Sequence, residues 1–289
     1  MADESFQGAA LMPQEDSKNL LIKDLYIYPI KSCAGIQVEQ ARLDEYGFVY
    51  DRRWLIGRQD GHFLSQREFP QMALISPIPG TEGLILRAPG MQDLLVEYTL
   101  NSTQHVQVWQ DQMAGNQQGQ PAAEWISDFL HTPACLYFAG SEHKRRVESG
   151  RIDFERQTAY SDSYPLLLTS MSSLDELNTR INMAKGQAIP MDRFRPNIII
   201  DGARPFEEDQ WHTLLIEGTE FLHGKPCSRC MITTIDQATG IVSGPEPLRT
   251  LSTFRRDARG KVLFGIYLAH KSTGAVLRKG SSVYINSIL

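Results

Sequence analysis

From about Leu20 onward the chain alternates apolar and polar residues in short stretches, the period-two signature of strands with one buried face. Leu21-Ile22-Lys23-Asp24-Leu25-Tyr26-Ile27-Tyr28, Ile36-Gln37-Val38-Glu39-Gln40-Ala41-Arg42-Leu43 and Arg53-Trp54-Leu55-Ile56-Gly57 carry it, separated by loops rich in Gly, Pro and Asp. Asp60-Gly61 is a hairpin signal, since both residues tolerate the positive φ of a tight turn. Further strands are predicted over 71–77, 83–88, 93–100 and 104–109. The polar run Asn116-Gln117-Gln118-Gly119-Gln120 interrupts the pattern, and Pro121 opens a predicted helix reaching Leu130, because proline suits the first helical position. A second helix is signalled by Ser173-Leu174-Asp175-Glu176, which matches a capping box, with Leu174, Leu177 and Ile181 on one face. Strands are expected again over 197–201, 213–217, 231–235, 263–268 and 282–285. The sum is a mainly β (α+β) protein: a polar leader over 1–19 expected to be disordered, a β domain over 20–120, and a second domain over 121–289 with a few helices, each barrel-like or sandwich-like.

Composition narrows the partners. A chain of 289 residues with 42% hydrophobic side chains can bury a core without disulfide or metal staples. Its net charge of -5, from 29 basic and 34 acidic residues, argues against nucleic acid as the main partner, since phosphate-backbone binders carry a basic excess. The acidic leader has neither a basic start nor an apolar run of signal-peptide length, and no stretch approaches the roughly 20 apolar residues of a membrane helix. A cytoplasmic protein with no membrane partner is therefore expected, in which Cys33, Cys135, Cys227 and Cys230 are thiols unless chemistry uses them.

Chemistry concentrates in Lys225-Pro226-Cys227-Ser228-Arg229-Cys230-Met231-Ile232-Thr233-Thr234-Ile235-Asp236, where two thiols sit immediately before a predicted strand. A thiolate is a soft ligand for zinc, copper(I), iron–sulfur clusters or a metal already bonded to sulfur, and Arg229 is expected to favour the charged form of Cys230. The bland alternative is a pair of small buried side chains. Zinc fits less well, because no second C-x-x-C or H-x-x-x-H supplies four ligands; a redox dithiol fits less well still, because the pair opens no helix of a βαβ unit. Basic residues recur in loop settings: Lys31 and Ser32 after a strand, Asp51-Arg52-Arg53-Trp54 before one, and Phe63-Leu64-Ser65-Gln66-Arg67-Glu68 at the end of another. Each alone reads as solvated charge, but their combination suggests an anion cradle, the arrangement a phosphate-bearing cofactor requires. Arg193 and Arg195 precede an apolar strand, where Pro196 biases Arg195 toward an extended conformation that could fix its guanidinium; the alternative is that both merely alternate outward from the sheet.

Tyr28-Pro29-Ile30-Lys31-Ser32, Asp51-Arg52-Arg53-Trp54, Phe194-Arg195-Pro196-Asn197 and Cys227-Ser228-Arg229-Cys230 with Thr233-Thr234-Ile235-Asp236 resemble, in order and spacing, the MOSC-domain proteins with an N-terminal MOSC-associated β-barrel, among them the amidoxime-reducing components. The resemblance runs from about Leu20 to Leu289 and implies a β-barrel domain followed by a MOSC β-barrel domain. It implies a molybdenum cofactor with a single molybdopterin, Cys230 as metal ligand and catalytic residue, Ser228 near the pterin, and Cys227 as no ligand. Lys31, Ser32, Arg52 and Arg195 match positions that contact the cofactor's phosphate and pterin, and Asp162 a position that hydrogen-bonds the pterin. Tyr164 stands in the same cofactor-binding segment where the mitochondrial relatives have a smaller residue. The implied activity is reduction of N-hydroxylated compounds such as amidoximes, hydroxylamines and N-hydroxy nucleobases by oxygen-atom transfer. No C-x4-C-x2-C spacing for an iron–sulfur cluster is present, so electrons are expected from a separate donor, a flavoprotein reductase or an iron–sulfur or cytochrome carrier. None of the seven histidines falls in these motifs, so the sequence names no general acid. The alternative is a cofactor carrier or sulfur-relay module in which both thiols act; a metal-free binding barrel is the third reading.

Overall fold

In the computed structural model, which describes residues 19–147 and 150–289, strand dominates over helix. The expected leader lies outside the described residues except for Asn19. The larger sheet has eight strands in the order Ile36–Val38, Leu21–Ile27, Ile198–Asp201, Leu166–Ser170, Leu263–His270, Thr219–Ser228, Trp211–Ile216 and Val283–Ile288. It curls until its ends meet. The Ile22 amide donates to the Ser281 carbonyl at 2.9 Å and the Val283 amide to the Leu20 carbonyl at 2.8 Å, so the first strand of the chain closes a barrel made otherwise of residues 166–288. Closure removes sheet edges, which would otherwise leave unpaired N–H and C=O groups. The alternation read from the sequence fills the interior: Ile22, Leu25, Leu168, Ile198, Ile200, Leu214, Phe221, Ile266 and Leu268 are buried together.

The second unit packs a sheet ordered Trp54–Gly57, Cys135–Phe138, Asp111–Gln117, Thr103–Val108 and a sheet of Ser76–Pro79, Gly83–Arg87, Leu94–Glu97 around helix α1, Gln120–Leu130. Trp54, Ile56, Leu84, Leu86, Trp125, Ile126 and Leu136 form their shared core.

Strand pairing runs across residue 120, where the sequence suggested a division. Cys135–Phe138 lies between Trp54–Gly57 and Asp111–Gln117, which carries the first unit past α1, while Leu21–Ile27 belongs to the barrel of the second. Asp111–Gln117 went unread because polar side chains fill it. Asn116 is nevertheless buried, its amide donating to the Leu100 carbonyl and the Thr103 hydroxyl at 2.9 and 3.1 Å. Thr219–Ser228 was hidden by Gly224 and Pro226, and the structure places register shifts there, between His223 and Lys225 and between Pro226 and Ser228. Two expected strands begin as 3-10 turns: Pro70–Leu74 precedes Ser76–Pro79, and Met231–Thr234 precedes the two-residue strand Ile235–Asp236. Helix α2, Met171–Met183, starts earlier than its capping box suggests: Ser170 is the N-cap and accepts from the Ser173 amide, while Glu176 pairs with Arg180 one turn on.

Candidate functional site

Loops from both units enclose a cavity of about 440 Å³, and all eight residues expected at the site, Lys31, Ser32, Arg52, Asp162, Tyr164, Arg195, Ser228 and Cys230, line it. Ten Lys or Arg against two Asp line this wall, so a chain of net charge -5 concentrates positive charge around one cavity. Such a concentration suits a polyanionic occupant.

The cradle is built on a buried hub. Asp51 accepts from the Tyr28 amide at 2.8 Å, from the Asn197 side chain at 3.0 Å and from Arg52 Nη1 at 2.8 and 2.7 Å. Asn197 in turn accepts from Arg52 Nη1 at 2.9 Å and donates to the Tyr26 carbonyl at 3.1 Å, which ties the 50s turn to the strand after Pro196. Tyr28 lies between two guanidinium groups, with Arg52 Cζ 4.3 Å and Arg195 Cζ 4.4 Å from its ring centroid. Ser32, Arg52 and Arg195 all take left-handed backbone conformations, at φ 67°, 46° and 53°. Side chains with a Cβ avoid that region at a cost of order 1–3 kcal/mol each, and such strain clusters where geometry serves a ligand.

Lys31 donates to the Tyr160 carbonyl at 2.9 Å and to Asp162 Oδ1 at 2.5 Å. Burial pulls the Lys31 ammonium down to about 8, with Asp162 opposing. For Asp162 burial acts the other way, but Lys31, Arg67 and the Trp109 indole N–H outweigh it and hold the carboxyl well below the usual carboxylate range. Arg145, buried itself, spans from Asp111 Oδ2 at 2.8 Å to the Asp162 carbonyl at 3.1 Å and also donates to the Ser161 carbonyl, which fixes the loop carrying Asp162. Several donors remain unmet. Arg195 Nη2 and Arg193 Nε and Nη1 are sequestered without a hydrogen-bond partner, although Arg193 Nη2 reaches Asp236 at 3.1 Å. Sequestered cationic donors without acceptors are costly, and a bound anion is what satisfies them. These residues fit the phosphate and pterin of the cofactor implied by the sequence.

The two thiols occupy different environments. Cys227, in the strand Thr219–Ser228, is 2% exposed, and burial raises its pKa despite Arg229 nearby. Cys230 begins the 3-10 turn at the cavity wall, where its carbonyl accepts from the Thr233 amide and hydroxyl at 3.1 and 3.0 Å. The expected role of Arg229 is corrected. Its guanidinium is spent on the Phe264 carbonyl at 2.8 and 2.6 Å and the Phe194 carbonyl at 2.9 Å, a strut between strand and turn. Arg67 instead reaches the Cys230 sulfur, its Nη2 at 3.0 Å. Among the described residues, no three His, Cys, Asp or Glu side chains gather as a metal-ligand group.

Tyr164 is buried at the site. It stacks on Tyr267, with centroids 5.8 Å apart and planes at 18°, and Gly224 leaves the room its ring needs. Sequence reasoning missed Trp109 and Arg145 and placed Arg67 only within a general anion cradle, with no link to Cys230. Arg67 stood in a noted basic run and Asn197 in a quoted motif, whereas Trp109 follows a strand with no local signal.

Comparison with known proteins decides the family. Residues 19–133 match the family described as MOSC N-terminal beta barrel domain and residues 155–284 the MOSC domain. Mitochondrial amidoxime reducing component 2 of Bos taurus is 35% identical over 91% of this chain and 82% of its own length. The chain belongs to the MOSC-domain family with an N-terminal MOSC β-barrel. The human amidoxime reducing component 2 is 34% identical over the same shares, and this MOSC protein is also 30% identical to the molybdenum cofactor sulfurase of Oryza sativa, spanning 94% of this chain but 36% of that protein. MOSC membership and these relatives point to molybdenum-cofactor binding. Among the described residues no helix is long and apolar enough to cross a membrane.

Proposed function

We propose that this MOSC protein binds one molybdenum cofactor through Cys230 and reduces N-hydroxylated compounds such as amidoximes, hydroxylamines and N-hydroxy nucleobases. The observation that carries the reading is the Cys230 sulfur on the wall of a cavity whose opposing cations include buried guanidinium donors without acceptors. The cofactor, when bound, supplies two-electron oxygen-atom transfer. In the net reaction the substrate N–O bond breaks, two electrons arrive from a separate flavoprotein, iron–sulfur or cytochrome donor, two protons come from solvent, and the oxygen leaves as water. The chain's own residues bind and orient. Lys31, Ser32, Arg52 and Arg195 would contact the cofactor's phosphate and pterin, Asp162 and Ser228 would hydrogen-bond the pterin, and Tyr164 with Tyr267 shapes the adjoining wall.

Similarity to the rice sulfurase favours a second reading, a carrier or sulfur relay in which Cys227 and Cys230 exchange a sulfur atom. Burial of Cys227 stands against it, because an attacking sulfur needs access and thiolate character. The test is turnover of a hydroxylamine with a chemical reductant, normalised to bound molybdopterin. Cys230→Ala is expected to lose at least about 100-fold while retaining pterin, since a hard or absent donor cannot replace a thiolate on the metal. Cys227→Ala is expected to stay within about threefold, as a small buried side chain permits. Equal loss in both variants would replace the reductase reading with the relay, and unaltered turnover in Cys230→Ala would remove Cys230 from the metal.

A further inference from the structure

One guanidinium at this site is left unexplained by the cofactor cradle. Arg67 comes from the unit opposite the barrel, yet its Nη2 lies 3.0 Å from Cys230 Sγ. The loop that carries it is tightly held. Ser65 and Gln66 are buried, the Glu68 and Phe69 amides both donate to the Ser65 carbonyl at 3.0 and 2.9 Å, and Gln66 bonds the Ser32 carbonyl at 2.8 Å and Gln237 at 3.0 Å. A long side chain leaving so fixed a backbone still needs support along its length, and Trp109 supplies it. The Arg67 Cζ lies 4.7 Å from the Trp109 ring centroid.

Trp109 is itself placed by constraint. It sits at the turn between Thr103–Val108 and Asp111–Gln117 with φ 58°, a conformation that a bulky aromatic residue rarely adopts. Phe63 packs against its ring at 5.0 Å in a T-shaped contact, and its indole N–H points to Asp162 Oδ1 at 3.3 Å. The indole remains 42% exposed, so burial of the ring does not explain the strained turn. The strain has another correlate: it sets the indole beneath the guanidinium that contacts Cys230.

We propose that Arg67, backed by Trp109, is a positioning residue for Cys230: its N–H fixes the direction in which the sulfur faces the cavity and withdraws electron density from it. The inference rests on the reading of Cys230 as the protein ligand of the metal. A hydrogen bond to a ligating thiolate weakens its donation to the metal and so favours the reduced state, raising the reduction potential. Lysine in place of arginine keeps the charge but loses the flat guanidinium that lies along an indole face while one N–H points sideways.

The test uses the cofactor-loaded protein and five variants. Arg67→Met is expected to keep molybdenum and pterin content within about twofold of the parent, because Lys31, Arg52 and Arg195 are untouched. It should also alter the molybdenum EPR spectrum, lower the metal's midpoint potential and reduce kcat/KM by roughly 10–100-fold, the range typical for residues that orient a metal ligand. Arg67→Lys restores part of each quantity, Trp109→Ala shifts the potential in the same direction by less, and Trp109→Phe, which keeps an aromatic face, stays near the parent. Parent-like EPR and potential in Arg67→Met would overturn the proposal, as would loss of the cofactor from that variant with a normal thermal melt, which would make Arg67 part of the cradle. Cys230→Ala serves as the control for the underlying reading. If its molybdenum spectrum also equals the parent's, Cys230 is not the ligand and both readings fall; if only Arg67→Met is silent, the assignment of Cys230 stands without its partner.

Discussion

Replacing Arg195 by Met separates binding from folding, because the structure gives the guanidinium opposite effects on the two. Arg195 Nη1 reaches Gln237 Oε1 only at 3.3 Å, and Nη2 has no partner. Burial, reinforced by neighbouring Arg52, disfavours its charge and lowers its pKa, with Tyr28 opposing. In the cofactor-free protein, removing an unmet sequestered donor restores about 1–3 kcal/mol. Losing the contact of the guanidinium with the Tyr28 ring, at 4.4 Å, takes back about 0.5–2 kcal/mol. The flexible Met side chain fills much of the same space, so the net change is near zero or stabilising. Binding behaves differently. Two charge-assisted hydrogen bonds to an anionic cofactor, at about 1.5–3 kcal/mol each, amount to roughly a 10²- to 10⁴-fold loss of affinity. Molybdenum and pterin per chain, measured after expression in a host that makes the cofactor, are therefore expected to collapse, while the cofactor-free melting temperature stays level or rises. Near-stoichiometric cofactor in the variant would refute the cradle. A fall of more than about 5 °C in the cofactor-free protein, some 1–2 kcal/mol for a chain of this size, would show that Arg195 is a structural strut instead.

Two further outcomes follow from other buried groups. Glu208, fully buried and accepting from the Ser170 and Ser173 hydroxyls at 3.0 and 2.7 Å, is pushed by burial from 4.5 up to about 7. Its stabilising contribution is therefore present below the unfolded value of 4.5 and is lost as pH rises to about 7, a change of about 3 kcal/mol. His223 and His270, pulled by burial from 6.5 down to about 4, act oppositely: their contribution is present above pH 6.5 and lost as pH falls to about 4. The measurement is thus the urea-unfolding free energy of the parent minus that of Glu208→Gln, which should decline across pH 4.5–7; a flat difference refutes the assignment. Gly224→Ala would drive a methyl group into the Tyr164 ring, and overpacking of this kind costs about 1–3 kcal/mol. Thermal melting should fall by several degrees and recover when Tyr164 is also changed to Leu; an unchanged melt in the single variant would mean the Tyr164–Tyr267 stack yields freely.

Local physics made much of this protein legible. Apolar alternation in Leu21–Ile27 reports one buried face, Pro121 marks the start of α1, and Leu174, Leu177 and Ile181 report the buried stripe of α2, because each is a property of neighbours in sequence. Cys230 and the basic motifs were likewise visible as residue types in unusual settings. The fold's long-range decisions were not. That Leu21–Ile27 closes a barrel with Val283–Ile288, and that Asp111–Gln117 is a strand despite its polar side chains, depends on hydrogen-bond partners far away in the chain. The site divides the same way. Sequence proximity assigned Arg229 to Cys230, but the folded backbone turns that guanidinium to the carbonyls of Phe194 and Phe264 and delivers Arg67 to the sulfur from 163 residues away. Which cation faces a thiol is a matter of direction as well as distance, and side-chain direction is set by the strands, turns and left-handed residues that only the tertiary structure brings together.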